Sequence, residues 1–115
     1  MARKTIATLP DEIRAHGDFL TLPASELRDR YGAERLGIHV RTDISNELAG
    51  LGLAHFPPTL PDRQHELVRV YRQGSAIAKL IAAVLDPGDA SDTVLRRAVD
   101  SDCERILRKI RALLE

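Results

Sequence analysis

Residues 38–57, IHVRTDISNELAGLGLAHFP, decide the fold of this chain. Val40, Ile44, Leu48 and Leu51 recur every three or four residues, and Gly52 follows at the place where a helix favours a left-handed residue. This spacing predicts a helix over residues 39–51. The next four residues, LAHF, are cut off by two prolines and predict a short strand.

The sequence on either side supplies the partners of that helix. Downstream, residues 67–72, LVRVYR, predict a second strand, and the polar segment 59–66, TLPDRQHE, would form the tip of a hairpin. Upstream, residues 26–31, ELRDRY, predict a short helix capped by Ser25, and residues 19–23, FLTLP, predict an extended connector. A helix pair followed by a hairpin is the order of a winged helix-turn-helix, so we expect a mainly α fold with a small β-hairpin over residues 1–74.

Residues 75–115 are more apolar and more regularly helical in pattern than the residues before them, and they predict a helical hairpin. Ser75 is placed to cap an apolar helix, SAIAKLIAAVLD, most of which we expect to be buried. After a break at residues 86–89, a last helix over residues 91–114 carries a narrow apolar seam that predicts a homodimer interface, with internal packing as the alternative. The seam residues are Val99, Cys103, Ile106, Ile110 and Leu113.

Composition narrows the function classes. Hydrophobic residues make up 43% and charged residues 30%, which excludes a fully disordered chain and a membrane protein. The N-terminal residues do not resemble a signal peptide, and the single cysteine cannot form an internal disulfide, so we expect a cytoplasmic protein. Seventeen basic and seventeen acidic residues cancel, so any surface that attracts nucleic acid must arise from local arrangement.

Residues 31–57 resemble a known bacterial module. The residues that carry the resemblance are Tyr31, Gly32, Ala33, Arg35, Gly37, Val40, Ile44, Leu48, Gly52, Leu53 and Pro57. They match the pattern of a winged-helix-like module that often sits beside CBS, nuclease-like or defence-associated domains. Leu36 stands where that module usually has a second arginine. The resemblance covers about a quarter of the chain and implies a winged-helix fold that binds DNA or another protein.

The face of the central helix opposite its apolar stripe carries side chains able to contact double-stranded DNA. Asn can bond both edge groups of adenine, Thr and Ser can bond bases or phosphates, and Arg suits phosphate. The alternatives are a solvated polar face, an Arg35 that packs or pairs with Glu34 or Asp43, and a plain exposed turn at the hairpin tip. The candidate DNA-binding residues are Arg35, His39, Arg41, Thr42, Ser45 and Asn46, with Arg63, Gln64 and His65 at the tip and Arg69 on the second strand.

No metal site, cofactor or catalytic group is predicted. The four histidines lack the spacing of zinc ligands, and the chain has no phosphate-binding glycine loop and no nucleophile elbow. We therefore expect a DNA-binding protein without enzymatic activity: a small transcriptional regulator, or the DNA-recognition accessory of a larger system such as phage defence. The alternative is an adaptor that docks an effector protein through its hairpin or its C-terminal helices.

Overall fold

A computed structural model of the chain describes residues 4–99 together with residues 105, 108, 111 and 112. The chain divides into two compact units, Met1–Ala78 and Lys79–Glu115. The described residues form a short 3-10 helix, five α-helices and one three-stranded antiparallel sheet. In chain order these are the 3-10 helix Ile6–Thr8, α1 Leu9–Ala15, β1 Phe19–Pro23, α2 Ala24–Tyr31, α3 Ile38–Gly50, β2 Leu53–Phe56, β3 Leu67–Arg72, α4 Ala76–Leu85 and α5 Asp89–Ala98.

The sheet has the order β1-β3-β2, so β3 is its central strand. The predicted hairpin pairs Phe56 with Arg69, and the segment predicted only as an extended connector is a third strand that pairs Leu22 with Val68. Sequence reasoning missed this pairing because β1 is distant from β3 along the chain. The alternation of exposed and buried residues in β1 follows from its position over one face of the core.

The core of the first unit lies between the sheet and the helices. Ile44 and Leu48 of α3 are fully buried, as predicted, whereas Val40 is half-buried and Leu51 is 37% exposed. The apolar stripe is therefore narrower than its sequence spacing indicates. The core cluster consists of Ile6, Leu9, Ile13, Leu22, Ala24, Leu27, Leu36, Ile44, Leu48, Leu53, Leu60, Val68 and Val70.

The loop between β2 and β3 is bound to the start of α2. The backbone N–H of Ala24 donates to the carbonyl of Glu66 at 2.8 Å, and that of Ser25 donates to the carbonyl of Gln64 at 2.9 Å. These carbonyls satisfy donors that the first turn of a helix leaves free. The cap position is Pro23 rather than the predicted Ser25, because α2 begins directly after β1.

Helices α4 and α5 belong largely to the second unit. The Oγ of Ser75 accepts a hydrogen bond from the N–H of Ala78 at 3.2 Å, so Ser75 caps α4 as predicted. The expectation that α4 is mostly buried is wrong: Ala83 is buried, but Val84 is 68% and Leu85 49% exposed. The helix is apolar on nearly all sides, and Ala83 is the one residue of α4 that is buried.

The predicted dimer seam is described only at its first residue. Val99 is 57% exposed, which leaves its side chain open to a further partner. The other seam residues, Cys103, Ile106, Ile110 and Leu113, lie outside the described residues.

Candidate nucleic-acid interface

Helix α3 presents one face to the core and another to solvent. Ile44 and Leu48 point into the core, which leaves Thr42 and Asn46 exposed and places Arg41 and Ser45 half-buried at the side. The helix begins after Gly37, where the backbone is extended. Four of the predicted contact residues therefore share one exposed side of a helix that the core holds in place.

A cleft of about 300 Å³ runs along this side of α3. One wall is the helix, and the other is the segment 58–60, which follows β2. The cleft therefore brings together four of the predicted DNA-binding residues with a wall that sequence reasoning did not include. Its lining residues are Ile38, Arg41, Thr42, Ser45, Asn46, Pro58, Thr59 and Leu60.

Arg41 holds the two walls of the cleft together. Its Nε donates to the carbonyl oxygen of Leu36 at 3.1 Å, and its Nη1 donates to the carbonyl oxygen of Leu60 at 3.3 Å. Hydrogen bonds from a charged donor are stronger than neutral ones. The side chain was predicted as a groove contact, and its geometry adds a structural role while keeping a positive charge at the cleft.

Ser45 is linked to a histidine that the sequence analysis did not select. Ser45 Oγ lies 2.8 Å from His55 Nε2, and His55 Nδ1 lies 2.7 Å from the carbonyl oxygen of Pro57. In β2 the residues alternate between the two faces of the sheet, and His55 pairs with the buried Val70. That alternation was the available signal, since it places His55 on the same side of the sheet as α3.

The remaining polar residues of the helix differ in their bonding. Thr42 donates its hydroxyl hydrogen to the carbonyl oxygen of Ile38 at 2.9 Å. Asn46 and His39 are exposed, and within the described part of the chain neither side chain makes a hydrogen bond or an ion pair. Asn46 therefore keeps its full donor and acceptor capacity.

Arg35 lies in the turn before α3 and is exposed. It does not pair with Asp43, which instead accepts a hydrogen bond from the hydroxyl of Tyr31 at 3.2 Å. This hydrogen bond to the carboxylate raises the pKa of Tyr31 above its usual value. Among the described residues no ion pair involves Arg35, so its charge is available at the start of the helix.

The predicted tip residues Arg63, Gln64 and His65 are all exposed. Because the backbone of Gln64 is bonded to Ser25, these side chains lie beside the start of α2. They are held near the helix-turn-helix segment and do not extend away on a free hairpin.

Arg69 lies apart from the cleft. Its Nε donates to Thr21 Oγ1 at 3.4 Å, and its guanidinium carbon lies 5.8 Å from the centre of the Phe19 ring. Arg69 alternates with the buried Val68 and Val70, so it occupies the outer face of the sheet, opposite the core that α3 joins. The structure does not bring Arg69 together with the residues of α3.

Within the part of the chain that the structure describes, no group of three or more His, Cys, Asp or Glu side chains is placed to hold a metal ion. Nor does any helix among these residues combine the length and apolar character needed to cross a membrane. Protein-family models, curated proteins and solved structures give no match to the chain.

Proposed function

We propose that the first unit is a winged helix that binds double-stranded DNA in a sequence-dependent way. The order helix, strand, helix, helix, strand, strand supports this proposal, because it supplies a helix pair followed by a β2-β3 hairpin. In this arrangement α3 is the second helix of the motif and would enter the major groove.

The cleft on α3 is the observation that carries the proposal. It gathers Arg41, Thr42, Ser45 and Asn46 on one solvent-facing side of a helix with a fixed position in the core. Amide and hydroxyl groups in such an arrangement can bond base edges, and a nearby arginine attracts phosphate. The unpaired Arg35 adds a second positive charge at the beginning of the same helix.

The roles divide between base and phosphate contacts. We assign Thr42, Ser45 and Asn46 to base edges and Arg35 to phosphate, with His39 at the flank of the same face. Arg63, Gln64 and His65 would contact phosphates or the adjacent groove from the loop. Arg69 is left out of this surface because it lies on the outer face of the sheet.

We further propose that the protein acts as a homodimer through its C-terminal helices. The exposed apolar side chains of Val84, Leu85, Val94 and Val99 support this part of the proposal, since a second copy would cover them. A two-fold dimer would present two copies of α3 to a palindromic site. The biological role proposed is that of a cytoplasmic transcriptional regulator, or of a DNA-recognition accessory in a larger system such as phage defence.

Selection of DNA from a pool of random-sequence duplexes tests the proposal. The immobilised 115-residue chain is incubated with the pool at low salt, and retained duplexes are amplified and sequenced. Enrichment of a shared sequence supports the proposal. Retention without any enriched sequence, or no retention, contradicts it.

A protein adaptor is the second candidate, and the outer face of the sheet favours it. Phe19, Phe56 and Leu67 are 37%, 41% and 64% exposed, and the strand register places all three on this face. Exposed aromatic residues of this kind are common where proteins dock. Failure of the DNA selection, together with the neutral net charge, would favour this function over DNA binding.

A further inference from the structure

The hydrogen bond between Ser45 and His55 has a direction that follows from chemistry. The carbonyl oxygen of Pro57 can only accept, so Nδ1 of His55 must be the nitrogen that carries the hydrogen. A neutral imidazole has a single N–H, and Nε2 is therefore left as an acceptor. With the imidazole neutral, the hydroxyl of Ser45 therefore donates to Nε2 across the 2.8 Å separation.

This direction determines what Ser45 offers to the cleft. With its hydrogen engaged by His55, the Oγ presents only lone pairs to a ligand. The hydroxyl of Thr42 likewise presents only lone pairs to a ligand, because its hydrogen is donated to the carbonyl oxygen of Ile38 at 2.9 Å. Two hydroxyl groups that line the cleft are thus hydrogen-bond acceptors on their open side.

A side chain that can only accept a hydrogen bond binds only those groups of DNA that donate one. Phosphate oxygens, guanine O6 and guanine N7 are themselves acceptors and give no bond to them. The exocyclic amino groups of adenine and cytosine are the donors in the major groove. We propose that Ser45, oriented by His55, accepts a hydrogen bond from the amino group of an adenine or a cytosine in the major groove, an inference that rests on the proposed function.

His55 is a positioning residue in this proposal. It touches Ser45 and Pro57, and its contribution is to keep the hydroxyl hydrogen of Ser45 away from the DNA. Without His55 that hydrogen is free to turn outward, and Ser45 then bonds donors and acceptors alike. Loss of His55 should therefore reduce discrimination more than affinity.

The test uses the 115-residue chain and the duplex most enriched in the selection. Each adenine in turn is replaced by purine, which lacks the amino group but keeps N7, and each cytosine by 2-pyrimidinone. At one position the replacement should weaken binding of the wild-type protein about threefold to tenfold, the loss expected for one hydrogen bond. In Ser45→Ala the same replacement should have no effect, which separates a contact by Ser45 from a general change in the duplex.

Variants of His55 test the positioning role. His55→Gln keeps an acceptor oxygen near the position of Nε2 and should keep the preference for an amino group over the acceptor O4 of thymine or O6 of guanine at that position, whereas His55→Ala should reduce this preference. Far-UV circular dichroism and thermal unfolding show whether each variant is folded. If His55→Ala does not fold, the comparison of wild type with Ser45→Ala still tests the inference. Equal sensitivity in wild type and Ser45→Ala at every position would overturn the inference while the DNA-binding function stands. Failure of the wild-type protein to enrich any duplex would overturn both.

Discussion

Arg30 Nη1 of α2 lies 2.6 Å from Glu12 Oε2 of α1, and the arginine side chain is only 4% exposed. The second guanidinium nitrogen, Nη2, also donates to Glu12, at 3.2 Å, so the two helices are joined by a two-point contact. The hydroxyl of Thr8 donates to the same carboxylate at 3.2 Å. This pair fixes α1 against the helix-turn-helix segment and is the basis of two predictions.

Glu12→Gln should destabilise the first unit strongly. The substitution removes the nearer of the two carboxylates that face the buried guanidinium of Arg30, leaving Glu26 at 3.7 Å, and breaking a buried pair costs up to about 3 kcal/mol. Urea unfolding followed by circular dichroism measures the change. The matched control is Asp29→Asn, which breaks the exposed pair of Asp29 with Arg28 and should change stability little. Equal effects of the two variants would contradict a structural role for the buried pair.

The same contact predicts how stability depends on pH. The hydrogen bond from Arg30 lowers the pKa of Glu12 below 4.5, and the bond from Arg72 likewise lowers the pKa of Asp18. A carboxylate with a lowered pKa in the folded state contributes stability that is fully present above its unfolded pKa and is lost as the pH falls through its folded pKa. The melting temperature should therefore drop as the pH falls below 4.5. Glu12→Gln should show a shallower drop, and an unchanged slope would contradict the assignment.

Leu48→Ala should be far more harmful than Leu51→Ala. Leu48 is fully buried, and truncation of a buried leucine costs about 2 to 5 kcal/mol because it leaves a cavity. Leu51 belongs to the same sequence pattern but is 37% exposed, so its truncation should cost much less. Urea unfolding of the two variants tests whether α3 is oriented as described. Similar losses would mean that the helix is turned differently on the core.

Much of the first unit could be predicted from its sequence. The spacing of Ile44 and Leu48 predicts α3, and Gly52, with its positive φ of 78°, follows that helix as expected. The sheet role of β1 could not be predicted, because its pairing with β3 depends on residues far apart in the chain. The contact of Arg41 with Leu60 depends on the path of the loop after β2, and that of Ser45 with His55 depends on how closely α3 packs against β2; sequence spacing alone gives neither.

Asn46→Ala should relax base preference. The exposed amide makes no hydrogen bond within the described part of the chain, so its removal should leave folding unchanged while taking away a bidentate contact with a base. The variant should bind the selected duplex and a scrambled duplex with more similar affinities than the wild type does. Fluorescence anisotropy with both duplexes provides the comparison. If Asn46→Ala kept the wild-type ratio of the two affinities, Asn46 would not contact a base.

Arg35→Ala should weaken binding to all duplexes alike. A phosphate contact carries no base information, and its loss should reduce the slope of log affinity against log salt by about one. Arg14→Ala is a suitable control, because Arg14 is exposed on α1 and acts on Asp18. Asp18 pairs with Arg72, at the end of β3 away from Phe56 and the cleft. If both variants lowered affinity equally, a specific role for Arg35 would be excluded.

Fluorescence anisotropy of the wild-type protein, titrated into the selected duplex and its scrambled counterpart, tests the central claim most directly. The titrations are made at about 50 and 200 mM salt, a range over which phosphate contacts change affinity strongly. Tighter binding to the selected duplex at both concentrations, with a loss of affinity at the higher one, is the predicted result. Equal binding to both duplexes, or no binding at the lower salt concentration, would contradict sequence-dependent recognition of DNA by α3.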